Sequence, residues 1–153
     1  MKLSTVDETR DLGARLAGIA RAGDLILLTG PLGAGKTALT QGIGAGLAVT
    51  GAVTSPTFVI SRVHRGGRLP LVHVDAYRLG GRLELDDLDL DASVEDSLTV
   101  VEWGEGVAEQ LSDGYLEVHL DRVDEETDVR VAHLIPRGGD WPDRLRDLGP
   151  EWA

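Results

Sequence analysis

The sequence predicts an α/β sandwich of three layers, with a central, largely parallel sheet and antiparallel strands at its edges. Three observations predict it. Leu25-Ile26-Leu27-Leu28-Thr29 is an unbroken apolar run that ends at a glycine-rich loop, as a strand buried on both faces does. Leu98-Thr99-Val100-Val101 is a second run of that kind. Tyr115 to Leu120 and Val129 to Ala132 instead alternate apolar and polar residues, the pattern of half-exposed strands that pair near an edge. Helical segments interspersed with such strands leave a layered sandwich as the way to bury them.

Taken in order, Thr5-Val6-Asp7-Glu8 is a capping box that opens a first helix, with Leu12, Leu16 and Ile19 at helical spacing and Gly23 as its C-cap. The first buried strand and the glycine-rich loop follow. Thr37-Ala38-Leu39-Thr40-Gln41 then opens a second helix, in which Gly42, Gly44 and Gly46 either weaken the helix or allow close packing against the sheet. Thr54-Ser55-Pro56-Thr57 is turn-prone and leads to Phe58-Val59-Ile60. That strand, a turn from His64 to Leu69 and Leu71-Val72-His73-Val74 make a hairpin. Residues 1–136 form one domain on this reading, and 137–153, rich in Gly, Pro and mixed charge, a loosely held tail anchored by Trp141 and Trp152.

Gly30-Pro31-Leu32-Gly33-Ala34-Gly35-Lys36-Thr37 matches the phosphate-binding pattern G-x-x-x-x-G-K-[ST] throughout, and Lys36 is one of only two lysines in the chain. The glycines let successive backbone N–H groups turn into one anion-binding concavity. Lys36 is placed to reach the β- and γ-phosphates, the Thr37 hydroxyl to ligate Mg²⁺, and the following helix N-terminus to favour the anion. The sandwich is therefore of the P-loop NTPase-like kind, with ATP and Mg²⁺ as its expected cofactors.

Composition bounds what else the chain can do. Its 153 residues suit a single core, and 42% apolar with 27% charged residues is ordinary for a globular protein. No apolar run nears the ~20 residues needed to span a bilayer, and the N-terminus lacks a signal-peptide core, so a cytoplasmic location is expected. The absence of cysteine excludes thiol catalysis and cysteine metal sites. A net charge of −11 argues against a broad nucleic-acid-binding surface. Charge is nevertheless segregated. Arg62, Arg65, Arg68, Arg78 and Arg82 stand against Asp75 alone, while Glu84 to Asp96 carries seven acids and no base. Two solvated faces or a docking surface both fit that split. Asp87 to Asp91 lacks the glycine and closing glutamate of a calcium loop. His64, His73, His119 and His133 lack zinc-ligand spacing and are read as strand or surface residues.

A phosphate-binding loop needs acids that hold Mg²⁺ and place a nucleophile. Glu102 and Asp75 each follow a predicted strand, where such residues belong, although either could instead cap a turn. In order along the chain stand the loop, Ser55-Pro56-Thr57-Phe58, His73-Val74-Asp75-Ala76-Tyr77-Arg78-Leu79 and Val101-Glu102-Trp103. This ordered set, spanning about Thr5 to Leu120, resembles the bacterial TsaE (YjeE) ATPases of tRNA threonylcarbamoyladenosine biosynthesis. The resemblance implies that Thr37 and Glu102 hold Mg²⁺, that Asp75 takes part in hydrolysis, and that Trp103 lies beside the nucleotide. It also implies that Ser55 to Phe58, Thr57 included, is a switch segment. It implies a subunit whose ATP hydrolysis drives or resets a TsaB/TsaD-type heterodimer that modifies tRNA adenosine next to the anticodon, with tRNA contact indirect. The chain departs from the family at Gly104, where proline is usual, and at Asp86 to Asp91, which replaces a mixed apolar segment. Two other functions remain open: a small-molecule P-loop kinase, against which the lack of a visible lid insertion counts, and a nucleotide-gated binding module with little turnover.

Overall fold

The computed structural model describes residues 1–31, 34–51, 53, 61–75, 95–102, 114–123, 126–127 and 129–148, with the backbone alone at residues 61, 62 and 75. Along them run β1 (Lys2–Leu3), α1 (Val6–Ile19), β2 (Leu25–Thr29), α2 (Lys36–Leu47), β3 (Ser61–His64) and β4 (Leu71–Asp75). β5 (Leu98–Glu102), β6 (Tyr115–Arg122), β7 (Arg130–Arg137) and α3 (Trp141–Leu148) follow.

The seven strands form one sheet in the order β1-β7-β6-β2-β5-β4-β3. β6, β2, β5 and β4 are parallel neighbours at its centre. β7, β1 and β3 add antiparallel edges; β3 and β4 form a hairpin whose first strand runs to His64, a residue expected in the turn, while the expected strand residues Phe58 to Ile60 lie outside the described residues. The two alternating strands do pair with each other, but β6 also pairs with β2 and so lies inside the sheet. Its alternation records a helix-covered face, Leu116, Val118 and Leu120, and a more polar opposite face.

Alternate residues of the central strands, among them Ile26, Leu28, Leu71, Leu98, Val100 and Val118, share one core with Leu12 and Leu16 of α1 and Leu39, Ile43 and Leu47 of α2. Leu25, Leu27, Val72, Val74 and Val101 point the other way and are equally buried, so the sheet is the covered middle layer of the sandwich. The α2 glycines serve packing. A Cβ on Gly42 would lie 1.9 Å from Arg10 O, one on Gly46 2.7 Å from Ala17 Cβ, and one on Gly13 of α1 2.2 Å from Leu39 O. Thus Gly42 and Gly46 bring α2 against α1 rather than the sheet; Gly44 alone faces Val53 and Leu71.

The capping box forms: Thr5 Oγ1 accepts the Glu8 N–H at 3.1 Å, and the Glu8 carboxylate accepts the Ser4 N–H. α1 ends at Ala20 in extended backbone, not at Gly23, which turns the chain three residues later with φ 91°. Arginines from distant segments complete the helix end. Arg68 donates to Ala17 O and, at 3.1 Å, to Ala20 O, and Arg144 donates to Ile19 O at 3.2 Å. Carbonyls that a glycine cap would have satisfied locally are thereby satisfied through tertiary contacts.

Within the segment expected to hang loosely, residues 141–148 form α3 and pack on the core. Trp141 and Leu145 are each 2% exposed, with Arg144 stacked 4.2 Å over the Trp141 ring. Arg144 makes a two-pronged contact with the Asp24 carboxylate and reaches Asp140 at 2.7 Å. This guanidinium, bonded first by Asp24 and then by Asp140, is held charged, and in turn it lowers the Asp140 carboxyl below its usual range. Replacing Arg144 with leucine should destabilise the protein by about 3–5 kcal/mol, because the Asp24 carboxylate stays buried with its cation gone. Urea unfolding measures this loss, and the double replacement with Asp24→Asn should recover part of it. Among the described residues no helix is long and apolar enough to cross a membrane.

Candidate functional site

β2 delivers the chain to the carboxyl edge of the sheet and directly into the loop. Gly30 has φ 130°, and a Cβ there would lie 2.1 Å from Leu120 O, so no other residue fits. Gly35 has φ 101° and forms the N-cap of α2 with no side chain bonded over the helix end. The first-turn N–H groups of α2 thus adjoin a bare glycine loop, which is the geometry an anion requires. Lys36 opens the helix, is 6% exposed, and donates from Nζ to Gly30 O at 2.7 Å, laying its ammonium across the loop. Thr37 follows on the helix, half-buried, and Pro31 and Ala34 belong to the loop, the latter fully buried. Leu32 and Gly33 lie outside the described residues.

Register brings the acids to the same edge. Leu28, two residues before Gly30, is paired with Glu102 of β5, and Glu102 with Asp75 of β4. Neighbouring strands are ~4.8 Å apart, so Glu102 ends the strand next to the one that bears the loop and Asp75 ends the strand beyond it, at the same edge of the sheet. Glu102 is 5% exposed. Its Oε2 lies 2.8 Å from Nε2 of His73, a fully buried residue two positions before Asp75. Among the described residues no three His, Asp or Glu side chains converge as a self-sufficient metal site. A hydroxyl such as Thr37 and a carboxylate such as Glu102, completed by phosphate oxygens and water, is the donor set that suits Mg²⁺. Thr57 and the rest of the expected switch segment, together with Trp103, lie outside the described residues. So does most of the acidic stretch.

Three contributions were missed by sequence reasoning. His73, dismissed with the other histidines, is bonded to the candidate metal-binding carboxylate; a lone polar residue inside an apolar buried strand was the available signal. The Thr29 hydroxyl, at the end of β2, lies 2.7 Å from Nδ1 of His119, whose Nε2 lies 3.0 Å from Asp121 Oδ1. A carboxylate only accepts, so Nε2 of the imidazole donates to Asp121, while Nδ1 shares a hydrogen bond with the Thr29 hydroxyl, which also lies 3.3 Å from Glu117 Oε2; the strand end beneath the loop is thereby tied to β6. Finally, a Cβ on Gly35 would lie 3.6 Å from Thr9 Cγ2 and 3.9 Å from Arg130 Nε, so Thr9 and Arg130 flank the last glycine of the loop. Nothing local in the sequence joins residues 9, 35 and 130.

The family described as Threonylcarbamoyl adenosine biosynthesis protein TsaE matches residues 3–131, which takes in the loop, Asp75, Glu102 and five of the seven strands, β2 to β6, in full. The chain belongs to the TsaE family. A TsaE protein of Streptomyces coelicolor, named as a tRNA threonylcarbamoyladenosine biosynthesis protein, is 55% identical over 147 residues, covering 94% of this chain and 93% of that one. The TsaE protein of Bacillus subtilis carries the same name and is 38% identical over 125 residues, covering 80% and 78%. Among solved structures, that of Bacillus subtilis YdiB superimposes with a TM-score of 0.80 at 30% identity, covering 97% of this chain and 91% of the other. The TsaE likeness therefore extends past the family match into the region of α3.

Proposed function

We propose that this protein is a Mg²⁺-dependent ATPase subunit serving the threonylcarbamoyl modification of tRNA adenosine. Its hydrolysis drives or resets a TsaB/TsaD-type partner complex. The observation that carries this reading is the register that puts Glu102 on the strand next to the one feeding the glycine loop and Lys36, and aligns Asp75 with Glu102 one strand further on. Membership of the TsaE family, and the names its curated relatives bear, supply the pathway.

The chain's own groups divide the work. Backbone N–H groups from Gly35 to Thr37 bind the phosphates, and Lys36 compensates charge on the β- and γ-groups. Thr37 and Glu102 are the ligands for Mg²⁺, which when bound would neutralise charge developing on the phosphates. Asp75 orients the attacking water, and Thr57 couples the γ-phosphate to the switch segment.

Steady-state phosphate release tests the proposal. The isolated protein should turn over slowly and the partner heterodimer should accelerate it. Equal rates with and without the partner would count against a subunit role, and release that depends on a small-molecule acceptor would indicate a kinase. Fluorescence offers an independent check. Trp103 directly follows Glu102, so its emission should change when nucleotide binds, whereas Trp141 is sealed under Arg144 and should give a constant background. Trp103→Phe should abolish the response. A response that survives this replacement places Trp103 away from the nucleotide.

A further inference from the structure

His73 of β4, opposite Val100, reaches diagonally to Glu102 of β5, both lying on the same side of their strands as Leu71, Leu98 and Val100 of the helix-covered core. The histidine is 0% and the glutamate 5% exposed, and 2.8 Å separates Nε2 from Oε2. The carboxylate can only accept, so the shared proton sits on Nε2 and is donated to Glu102. That leaves Nδ1 as an acceptor, and it is buried with no hydrogen-bond partner among the described residues.

As a contribution to stability this arrangement is poor. Desolvating an imidazole and a carboxylate inside an apolar layer is unfavourable, and apolar side chains of similar volume usually fill such a place equally well or better. The orphaned Nδ1 adds a further cost. What the arrangement does achieve is geometric: one oxygen of Glu102 is pinned at the strand end, and the other is left for a ligand. We infer that His73 is the positioning residue of the site, holding Glu102 in the one orientation from which its carboxylate can bind Mg²⁺. This rests on the nucleotide-binding reading above. Outer partners of metal ligands act in this way, and their loss typically weakens metal binding on the order of 10- to 100-fold.

The test compares His73→Leu, which removes the donor, with His73→Gln, whose amide N–H₂ can reach the place of Nε2–H. ADP binding is titrated against Mg²⁺ and repeated in EDTA, and free Mn²⁺ is followed by its paramagnetic resonance signal at fixed ADP. His73→Leu should require 10- to 100-fold more metal for half-saturation, with metal-free ADP affinity unchanged within about twofold, and His73→Gln should restore most of the difference. A folded His73→Leu protein with the wild-type metal requirement overturns the inference, as does a Gln variant no better than Leu. A wild-type protein that binds ADP but ignores Mg²⁺ overturns the Mg²⁺ reading of Glu102 first, so the two failures are distinguishable. Should His73→Leu fail to fold, the wild type still decides. Its buried His73 imidazole proton should give a slowly exchanging resonance that shifts with Mg²⁺·ADP and not with ADP in EDTA. A resonance indifferent to the metal refutes the role.

Discussion

Replacing Lys36 with alanine is expected to reduce ATP affinity at least about a hundredfold, which is roughly 2.7 kcal/mol of binding free energy. The ammonium lies across the loop, where Nζ donates to Gly30 O, and an ammonium at this place is a short reach from phosphate oxygens bound there. Charge-assisted hydrogen bonds are worth ~1.5–3 kcal/mol each, and more than one would be lost. The surroundings cannot compensate, because the protein carries a net charge of −11 and its other lysine, Lys2, lies in β1 at the edge of the sheet. Arg130 lies beside Gly35, and the residual affinity of the variant would report its contribution. Calorimetry with ATP makes the measurement, and an affinity unchanged by the replacement would refute the assignment of the loop.

The second large effect is expected at Glu102, where the choice of substitution matters. Glu102→Ala removes the carboxylate proposed to bind Mg²⁺ but also strands the Nε2–H of His73 in the core, which costs ~1–3 kcal/mol of stability. Glu102→Gln keeps an acceptor for that proton and removes only the negative charge. Both should lower turnover at least about a hundredfold, equivalent to roughly 2.7 kcal/mol of barrier, while metal-free ADP affinity stays near wild type. Thr37→Ala should follow the same pattern. Stability separates the glutamate variants: Glu102→Ala melts lower and Glu102→Gln does not. A Glu102→Gln protein that hydrolyses ATP normally would remove Glu102 from the Mg²⁺ site.

Much of this was legible from residues close together in the chain. An apolar run, glycines at fixed spacing and a following helix are local signals, so β2, the loop and α2 emerged from the sequence together. The same holds for the hairpin of β3 and β4 and for the capping box at Thr5. Features made by distant residues were hidden. Arg68 and Arg144 complete the end of α1, so the helix stops before the glycine that local rules had nominated. His73 acquires its role only because β4 lies beside β5. At α3 the local signal existed but was misjudged. Gly138-Gly139-Asp140 before Trp141-Pro142 resembles a broken tail, yet proline is well tolerated in a first helical turn, and Trp141, Arg144, Leu145 and Leu148 recur at helical spacing.

The position of β2 has a consequence for how the protein comes into being. This strand carries the loop, yet neither of its neighbours is close to it in sequence: Leu25 aligns with Thr99, and Ile26 with Leu116. β1 waits longer still, since Lys2 aligns with Val131. A chain emerging from the ribosome can bring α1 and α2 together early, but the strand bearing the loop stays unpaired until more than a hundred residues have been made. Parallel pairings over such separations close slowly, and an unpaired apolar strand is exposed to aggregation in the meantime. Premature termination before β6 would therefore yield a sticky fragment rather than a smaller folded protein, and slowed translation of the second half would prolong that vulnerable period.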